Sequence, residues 1–295
     1  MVTVAELITY PVKGCAGVAA REMTLGPAGL AHDRAFMVTD ENGVYRTQRR
    51  HPALALIRPE ITEDGALLTL DARGTGSPVK TEVDTDSPAR AVDLFGAPFR
   101  GIDQGDEVAA WLSDFLGTPS RLVRVPRDHD RVTDGLTPGT SGYADSGAVH
   151  LLSRASLDGL NSRIEEAGRA PLPLARFRPN IVVDGWPEPH REDGVRRATI
   201  AGTELAYAKP AIRCAVTLVD PATGARGGPE PLRTLATYRR NPREAGGGVT
   251  FGTKFSVLRG GTLRVGDALT VTEWAAGEGP GAGGDLGAAE DPGTA

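Results

Sequence analysis

Short apolar runs rich in Val, Ile, Leu and Thr recur along the chain. Gly, Pro and Asp interrupt them about every 8–12 residues, a spacing typical of β-barrels and β-sandwiches. A first set of strands is predicted at Thr3–Thr9, Glu22–Leu25, Ala35–Thr39, Leu54–Ile61, Leu67–Asp71, Val79–Val83, Arg90–Leu94 and Phe99–Ile102. A second set is predicted at Leu122–Val125, Asn180–Val183, Ala198–Ile200, Glu204–Tyr207, Ala215–Val219, Lys254–Val257, Thr262–Val265 and Ala268–Glu273.

Three segments instead have the apolar periodicity or the end signals of helices. Asp106–Leu116 has an apolar stripe at helical spacing and is followed by Gly117. Ser153–Ala167 begins with a serine cap, and Pro231–Arg239 begins with a proline that suits a first helical turn. The sequence therefore predicts a mainly β fold with a few covering helices (α+β).

The same pattern indicates how the chain is divided. A domain boundary is expected between Gly117 and Asp128, after the first helix. The polar segment Arg127–Gly147 is longer than an ordinary turn, and loops of that length are often functional. Residues 275–295 are rich in Gly, Ala, Pro and acidic side chains, so we expect a disordered tail.

Composition narrows the possible functions. The 295 residues are 40% hydrophobic and 24% charged, and the net charge of −5 argues against non-specific nucleic-acid binding. The first ten residues lack the pattern of a signal peptide, and no apolar run approaches the ~20 residues of a membrane helix. With two widely separated cysteines, these features predict a cytoplasmic protein with reduced thiols and no membrane partner.

Cys214 is the first candidate for chemistry, because it follows Arg213 directly at the end of an apolar run. Thiolate is the form of cysteine that ligates metals and attacks electrophiles, and a neighbouring positive charge favours that form. The pattern alone leaves both roles open.

Three other motifs have a functional and a structural interpretation each. Lys13-Gly14 is either an anion-binding loop or a surface turn. Asp33-Arg34 is either a buried pair or places a guanidinium toward a phosphate. Arg178 and Asn180, fixed by Pro179, either contact a heterocycle or stabilise a turn.

Taken in order, these motifs resemble a known family. The ordered set is Tyr10-Pro11-Val12-Lys13, Asp33-Arg34, Phe177-Arg178-Pro179-Asn180-Ile181, Arg213-Cys214, Phe251-Gly252 and Val265-Gly266-Asp267. It resembles the MOSC family with its N-terminal β-barrel module, and in particular the mitochondrial amidoxime-reducing components and their bacterial relatives, over residues 2–273. The resemblance implies a MOSC N-terminal β-barrel domain at residues 1–120 and a MOSC domain at residues 121–274.

The resemblance also implies a molybdenum cofactor, bound as Mo-molybdopterin, with Cys214 as thiolate ligand of the metal and catalytic residue. The cofactor-binding residues that it implies are Lys13, Gly14, Arg34, Asp145, Ser146, Gly147, Arg178, Asn180, Ile212 and Arg213. At Gly14 and Gly147 this chain lacks a hydroxyl that relatives carry, and Ile212 offers only its backbone, so backbone N–H groups take over there.

The implied activity is reduction of N-hydroxylated compounds (amidoximes, hydroxylamines and N-hydroxylated bases) to the N–H compound, with two electrons and two protons and release of water. This chain has no cysteines to spare for a ferredoxin-type cluster. Electrons would then come from a separate ferredoxin, flavoprotein reductase or b-type cytochrome. Asp145 and Asp220 are candidate proton donors, although the Asp-Pro turn at Asp220 favours a structural role.

Two other hypotheses stay open at this point. MOSC domains also occur fused to cofactor sulfurases, so the chain could be a non-catalytic cofactor-binding or sulfur-carrier protein. A metal-free β scaffold, in which Arg213 and Cys214 are only structural residues, is the third.

Overall fold

The computed structural model describes residues 1–74, 76–241 and 248–277, and it confirms the mainly β fold. Of the expected disordered tail, residues 278–295 lie outside the described part. The strands before the first helix are β1 (Thr3–Thr9), β2 (Val12–Lys13), β3 (Val18–Ala20), β4 (Glu22–Gly26), β5 (Gly29–Leu30), β6 (Phe36–Thr39), β7 (Arg58–Ile61), β8 (Leu67–Asp71), β9 (Val79–Glu82), β10 (Arg90–Leu94) and β11 (Ala97–Asp103).

Ten strands and three α-helices complete the described chain. The strands are β12 (Arg121–Arg124), β13 (Val132–Thr133), β14 (Gly139–Thr140), β15 (Val149–Ser153), β16 (Ile181–Asp184), β17 (Val195–Ile200), β18 (Thr203–Arg213), β19 (Val249–Arg259), β20 (Gly261–Arg264) and β21 (Leu269–Trp274). The helices are α1 (Asp106–Leu116), α2 (Arg154–Glu166) and α3 (Leu232–Tyr238).

The largest sheet has eight strands in the order β21-β17-β18-β19-β15-β16-β1-β3. Strand β1 also contacts the chain at the start of β21, near the opposite end of the strand order. The N–H of Val4 donates to the carbonyl of Asp267 (2.9 Å), and the N–H of Leu269 donates to the carbonyl of Val2 (2.9 Å). The sheet thus closes into a barrel. Its interior is filled by alternating apolar side chains, including Leu7, Ile181 and Phe255.

A five-stranded sheet, β10-β11-β12-β6-β2, and a three-stranded meander, β7-β8-β9, lie outside the barrel. We call these two sheets together the second sheet system. Helix α1 packs on it through Val108 and Leu112, which are fully buried, and ends at Gly117 in the left-handed conformation (φ 64°) as the sequence predicted. Two small sheets, β20-β4-β5 and β13-β14, contact strand β19 of the barrel.

Hydrogen bonding crosses the predicted boundary at residue 120 in both directions. Strand β1 belongs to the barrel and pairs with β16, whereas β12 pairs with β6 and β11 of the other sheet. The division into residues 1–120 and 121–274 therefore stays a prediction. No helix in the described ranges is long and apolar enough to cross a lipid bilayer.

Two predicted strands were wrong in part or in whole. Leu54–Ile61 begins inside a 3₁₀ helix, Pro52–Leu56, and only its end is β7. Ala215–Val219 is mostly a 3₁₀ helix, Ala215–Leu218, because the N–H and hydroxyl of Thr217 both donate to the carbonyl of Cys214 (3.0 and 2.9 Å).

The sequence also missed a central barrel strand. All five residues of β15, Val149–Ser153, are buried between β16 and β19. Ser153 has the predicted cap role, since its hydroxyl accepts a hydrogen bond from the N–H of Ser156 (3.1 Å) at the start of α2.

Candidate functional site

A cavity of about 360 Å³ lies where the barrel meets the second sheet system. All eleven residues that the resemblance assigned to the site line it, although their assignment to a cofactor stays a prediction. They are Lys13, Gly14, Arg34, Asp145, Ser146, Gly147, Arg178, Asn180, Ile212, Arg213 and Cys214.

The ends of strands position these residues. Lys13 ends β2, Arg34 precedes β6, and Arg178 and Asn180 precede β16. The loop of residues 144–147 leads into β15, and Arg213 ends β18 directly before Cys214. The site is therefore assembled from five separate parts of the chain, which explains why each short motif alone was ambiguous.

Asp33 and Asn180 are buried partners of Arg34, and of these two only Asn180 lines the cavity. The Arg34 guanidinium donates to Asp33 (2.5 and 2.7 Å) and to the side-chain oxygen of Asn180 (3.1 Å). Asp33 also accepts from the N–H of Tyr10 (2.8 Å), and Asn180 donates to the carbonyl of Ile8 (3.1 Å). The structural interpretation of both motifs is thus correct, yet Arg34 and Asn180 also line the cavity.

Arg34 and Arg178 adopt the left-handed backbone conformation, with φ of 48° and 55°. Non-glycine residues rarely do so, and such strain is often found at functional sites. Both guanidinium groups lie over the Tyr10 ring, 4.3 and 4.2 Å from its centroid. Burial and the nearby Arg34 charge lower the pKa of Arg178.

Two arginines that line the cavity with Cys214 retain unpaired donors. Arg178 donates to the carbonyl of Cys15 (2.5 Å) and Arg213 to that of Phe177 (2.9 Å). Arg178 Nη2 and Arg213 Nε are buried and have no hydrogen-bond partner among the described residues. Burial lowers the pKa of Arg213 to about 10. Buried donors of this kind are normally satisfied, so they indicate a site for an acceptor-rich ligand.

The thiol of Cys214 is half-buried, whereas that of Cys15 is fully buried; both are free. Burial raises the pKa of Cys15 to about 12, so that thiol stays protonated. Cys214 is held in place through its carbonyl, which accepts from Thr217, and its side chain lines the cavity.

Lys13 and Asp145 form an ion pair at one wall, and Lys13 also donates to the carbonyl of Tyr143 (2.9 Å). Crowding by neighbouring protein atoms opposes ionisation of Asp145, but the charge and hydrogen bond of Lys13 outweigh it and hold the pKa of that carboxyl well below its usual range. Arg131 fixes this loop by donating to the carbonyls of Gly142 and Ala144 (2.6 and 2.5 Å).

Sequence reasoning missed several lining residues: Tyr45, Arg46, Thr47, Gln48, Arg49, Phe95, Ala144, Phe177, Val216 and Lys254. Lys254 is the most informative, since it is half-buried in β19 and has no hydrogen-bond partner in the described part of the chain. Burial, then the charges of Arg34 and Arg213, lower its pKa well below the ordinary value. A lysine within a mostly buried strand was the signal that could have revealed it.

The cavity is strongly cationic, although the whole chain carries a net charge of −5. Within the described ranges, its lining has one carboxylate, Asp145, against the cations Lys13, Arg34, Arg46, Arg49, Arg178, Arg213 and Lys254. This concentration of positive charge suits an anionic ligand.

Asp220, the other candidate proton donor, does not line this cavity. Its carboxylate accepts from the N–H of Ala222 (2.8 Å) and lies 3.6 Å from Arg176. The geometry is that of a turn, in agreement with the structural interpretation.

Comparison with known proteins identifies the family to which the chain belongs. Residues 1–119 match the MOSC N-terminal beta barrel domain, and residues 138–270 match the MOSC domain. The chain belongs to the MOSC family, which confirms the resemblance drawn from its motifs.

Curated relatives of two kinds are similar to it. The mitochondrial amidoxime-reducing component 1 of Homo sapiens is 36% identical over 285 residues, which cover 90% of this chain and 82% of the human protein. The mitochondrial amidoxime reducing component 2 of Rattus norvegicus is 36% identical over 286 residues, with the same coverage. The molybdenum cofactor sulfurase of Danio rerio is 34% identical over 267 residues, 85% of this chain but 31% of that protein.

Proposed function

We propose that this protein is a molybdenum-cofactor-dependent oxidoreductase that reduces N-hydroxylated compounds to the corresponding N–H compounds. The observation that carries the proposal is the convergence of a half-buried thiol, unpaired guanidinium donors and excess positive charge in one cavity. The similarity of this protein to amidoxime-reducing components over 90% of its chain supports the reaction class.

The residues present fit a Mo-molybdopterin. A thiolate suits molybdenum, and Cys214 is the lining thiol that would ligate it. The phosphate would be held by the donors that lack partners in the protein, Arg178 Nη2 and Arg213 Nε, together with Lys254. The cavity volume of about 360 Å³ is within the usual range for cofactor sites.

The overall reaction cleaves the N–O bond of the substrate, consumes two electrons and two protons, and releases water. The bound cofactor supplies the two-electron redox chemistry. The protein positions the ligands and balances charge. Because Asp145 has a low pKa and pairs with Lys13, it is ionised near neutral pH, which favours a role in orienting Lys13 over proton donation.

Electrons in this proposal come from a separate protein, such as a ferredoxin, a flavoprotein reductase or a b-type cytochrome. Arg49 is exposed at the cavity and Arg50 is exposed beside it, so an acidic partner could approach there. The proposal also keeps the cytoplasm as the location. Fractionation of cells that produce the protein at native level tests the location.

The test compares wild type with Cys214→Ala and Cys15→Ala, all produced in a host that makes molybdopterin. We expect wild type and Cys15→Ala to contain near-stoichiometric molybdenum and to reduce benzamidoxime with a reduced viologen. Cys214→Ala should lose at least about a hundredfold in turnover, because the metal loses its protein ligand. Cys15→Ala is the matched control, since it removes the cysteine whose thiol lies outside the cavity lining.

A non-catalytic cofactor carrier is the alternative, and the similarity to a molybdenum cofactor sulfurase favours it. A carrier would contain the molybdenum cofactor but would not reduce benzamidoxime or N-methylhydroxylamine with any artificial donor. If wild-type protein contains molybdenum cofactor but turns over neither substrate, the reductase proposal is rejected in favour of the carrier.

A further inference from the structure

The hairpin between β10 and β11 carries an unusual residue at its tip. Leu94 pairs with Ala97, so the two-residue turn is Phe95-Gly96, with φ of 60° and 78°. Turns with two left-handed residues strongly favour Asn-Gly, because an L side chain other than Asn or Asp is strained at the first position. A phenylalanine there opposes the local preference of the backbone.

Burial accounts for only part of this choice of phenylalanine. Phe95 remains 45% exposed, so it gains only about half of the stabilisation that a fully buried core ring provides. Its ring lies 4.7 Å from Lys13 Nζ, but that ammonium is already held by the carbonyl of Tyr143 and by Asp145. The ring is thus not required to hold the lysine in place.

Phe95 forms an edge contact with a second aromatic residue at the same wall. Its centroid is 4.9 Å from that of Tyr45, with the ring planes at 61°. The Tyr45 hydroxyl accepts a hydrogen bond from Arg49 (3.0 Å), which fixes its direction. Both rings line the cavity that contains Cys214. They give this cationic cavity an apolar, aromatic wall.

We propose that Tyr45 and Phe95 bind the planar ring of aromatic N-hydroxylated substrates, such as aryl amidoximes and N-hydroxylated bases, and so select them over aliphatic hydroxylamines. This inference rests on the proposed reductase function. The strained backbone at Phe95 is retained because the exposed ring contacts substrate, a pattern expected where stability is given up for function.

The chain contains a matched control for this strain. The hairpin between β17 and β18 has the turn Ala201-Gly202, also with two positive φ values of 46° and 82°, and neither residue lines the cavity. Phe95→Asn and Ala201→Asn should both leave the melting temperature unchanged or raise it, because asparagine suits the left-handed position. A structural role for the Phe95 ring would instead lower the melting temperature of Phe95→Asn alone.

The kinetic test uses loaded enzyme, a reduced viologen, and two substrates that differ in the ring, benzamidoxime and N-methylhydroxylamine. For Phe95→Asn we expect KM for benzamidoxime to rise about threefold to tenfold, the usual strength of an aromatic contact. KM for N-methylhydroxylamine and the molybdenum content should stay at wild-type values. Ala201→Asn should leave both KM values unchanged.

An equal rise in KM for both substrates, or a loss of molybdenum from Phe95→Asn, would overturn the proposal; the latter would assign the ring to cofactor binding. If wild type turns over neither substrate, the reductase function itself fails. Binding of benzamidoxime, followed by ligand-observed NMR, then decides the aromatic contact separately. Weaker binding to Phe95→Asn but not to Ala201→Asn supports it, and unchanged binding rejects it.

Discussion

Lys254 shows how one residue reports on the ligand of the whole cavity. Its ammonium is half-buried near Arg34 and Arg213, and no carboxylate in the described chain forms an ion pair with it. Keeping the Lys254 amine charged while it is half-buried beside two arginines costs free energy in the ligand-free protein, and its pKa is lowered for that reason. Its presence is explained when an anionic group binds in the cavity and provides the missing partner.

This residue yields a prediction about pH. Between the lowered pKa of Lys254 in the folded protein and its ordinary value of 10.5, the unfolded chain binds a proton that the folded chain lacks. The free energy of unfolding of the cofactor-free protein should therefore rise with pH across this window through Lys254. Lys254→Met should be more stable than wild type at neutral pH and should lose this part of the rise.

Chemical denaturation of cofactor-free wild type and Lys254→Met across that pH window checks the sign. Lys80→Met is the control, since Lys80 is exposed on β9 and should leave the pH dependence unchanged. If the free energy of unfolding depended on pH in the same way in wild type and Lys254→Met, Lys254 would not be the source of the predicted rise.

Residues of the site differ in how far the sequence could reveal them. Cys214, Arg34 and Arg178 were found because each belongs to a short motif, and the structure brings those motifs to one cavity. Tyr45 and Phe95 belong to no motif, because their place at the site depends on how a loop and a hairpin of the second sheet system meet the barrel. Such proximity is a property of the tertiary fold alone.

At the scale of elements, predictions from local sequence patterns are correct where the pattern is long, and wrong where tertiary contacts determine the structure. The periodicity of α1 specified both its face and its end, because eleven residues with a terminal glycine carry enough signal. The short apolar runs at Leu54–Ile61 and Ala215–Val219 fit a strand or a single helical turn equally well. The hydrogen bonds of the folded protein, such as those from Thr217 to the carbonyl of Cys214, determine that the second run forms a helical turn.

The close approach of β19 to its neighbour β15 depends on one glycine. Gly252 has φ of 76°, and a Cβ atom there would lie 2.5 Å from His150 Nε2 and 2.9 Å from the carbonyl oxygen of Leu151. The pairing of β18 with β19 is irregular at this point, between Pro210 and Ile212, which indicates a β-bulge. Glycine therefore lets the bulged strand approach the buried His150 closely.

We expect Gly252→Ala to lower the free energy of unfolding by roughly 2–4 kcal/mol, from backbone strain plus overpacking. Gly202→Ala separates the two causes, because Gly202 has a similar φ of 82° but nothing within 4 Å of the added Cβ. That variant should lose only about 1 kcal/mol. Urea denaturation of both proteins measures the difference, and equal losses would show that the close contact is relieved without cost.

At the scale of the whole molecule, the strand pairing makes the two sequence-defined parts depend on each other. Strand β1 closes the barrel between β16 and residues 266–269, although it begins the chain, and β12 completes the second sheet. The cavity lies between these parts, so the thiol of Cys214 and the ion pair of Lys13 keep their relative positions only while both are folded. We therefore expect one cooperative unfolding transition.

The three tryptophans provide a test of this cooperativity, because they report on different parts. Trp111 lies on α1 beside Phe115, with ring centroids 5.7 Å apart, whereas Trp186 and Trp274 form a pair 6.5 Å apart at the barrel. Trp111→Phe leaves the barrel pair as the fluorescent probe, and the double variant Trp186→Phe/Trp274→Phe leaves Trp111. In each variant, fluorescence and far-UV circular dichroism should give the same denaturation midpoint, as two-state unfolding requires. A Trp111 transition at a lower midpoint than the circular dichroism of the same variant would instead show that the five-stranded sheet with α1 unfolds independently, and the site would then be lost before the barrel unfolds.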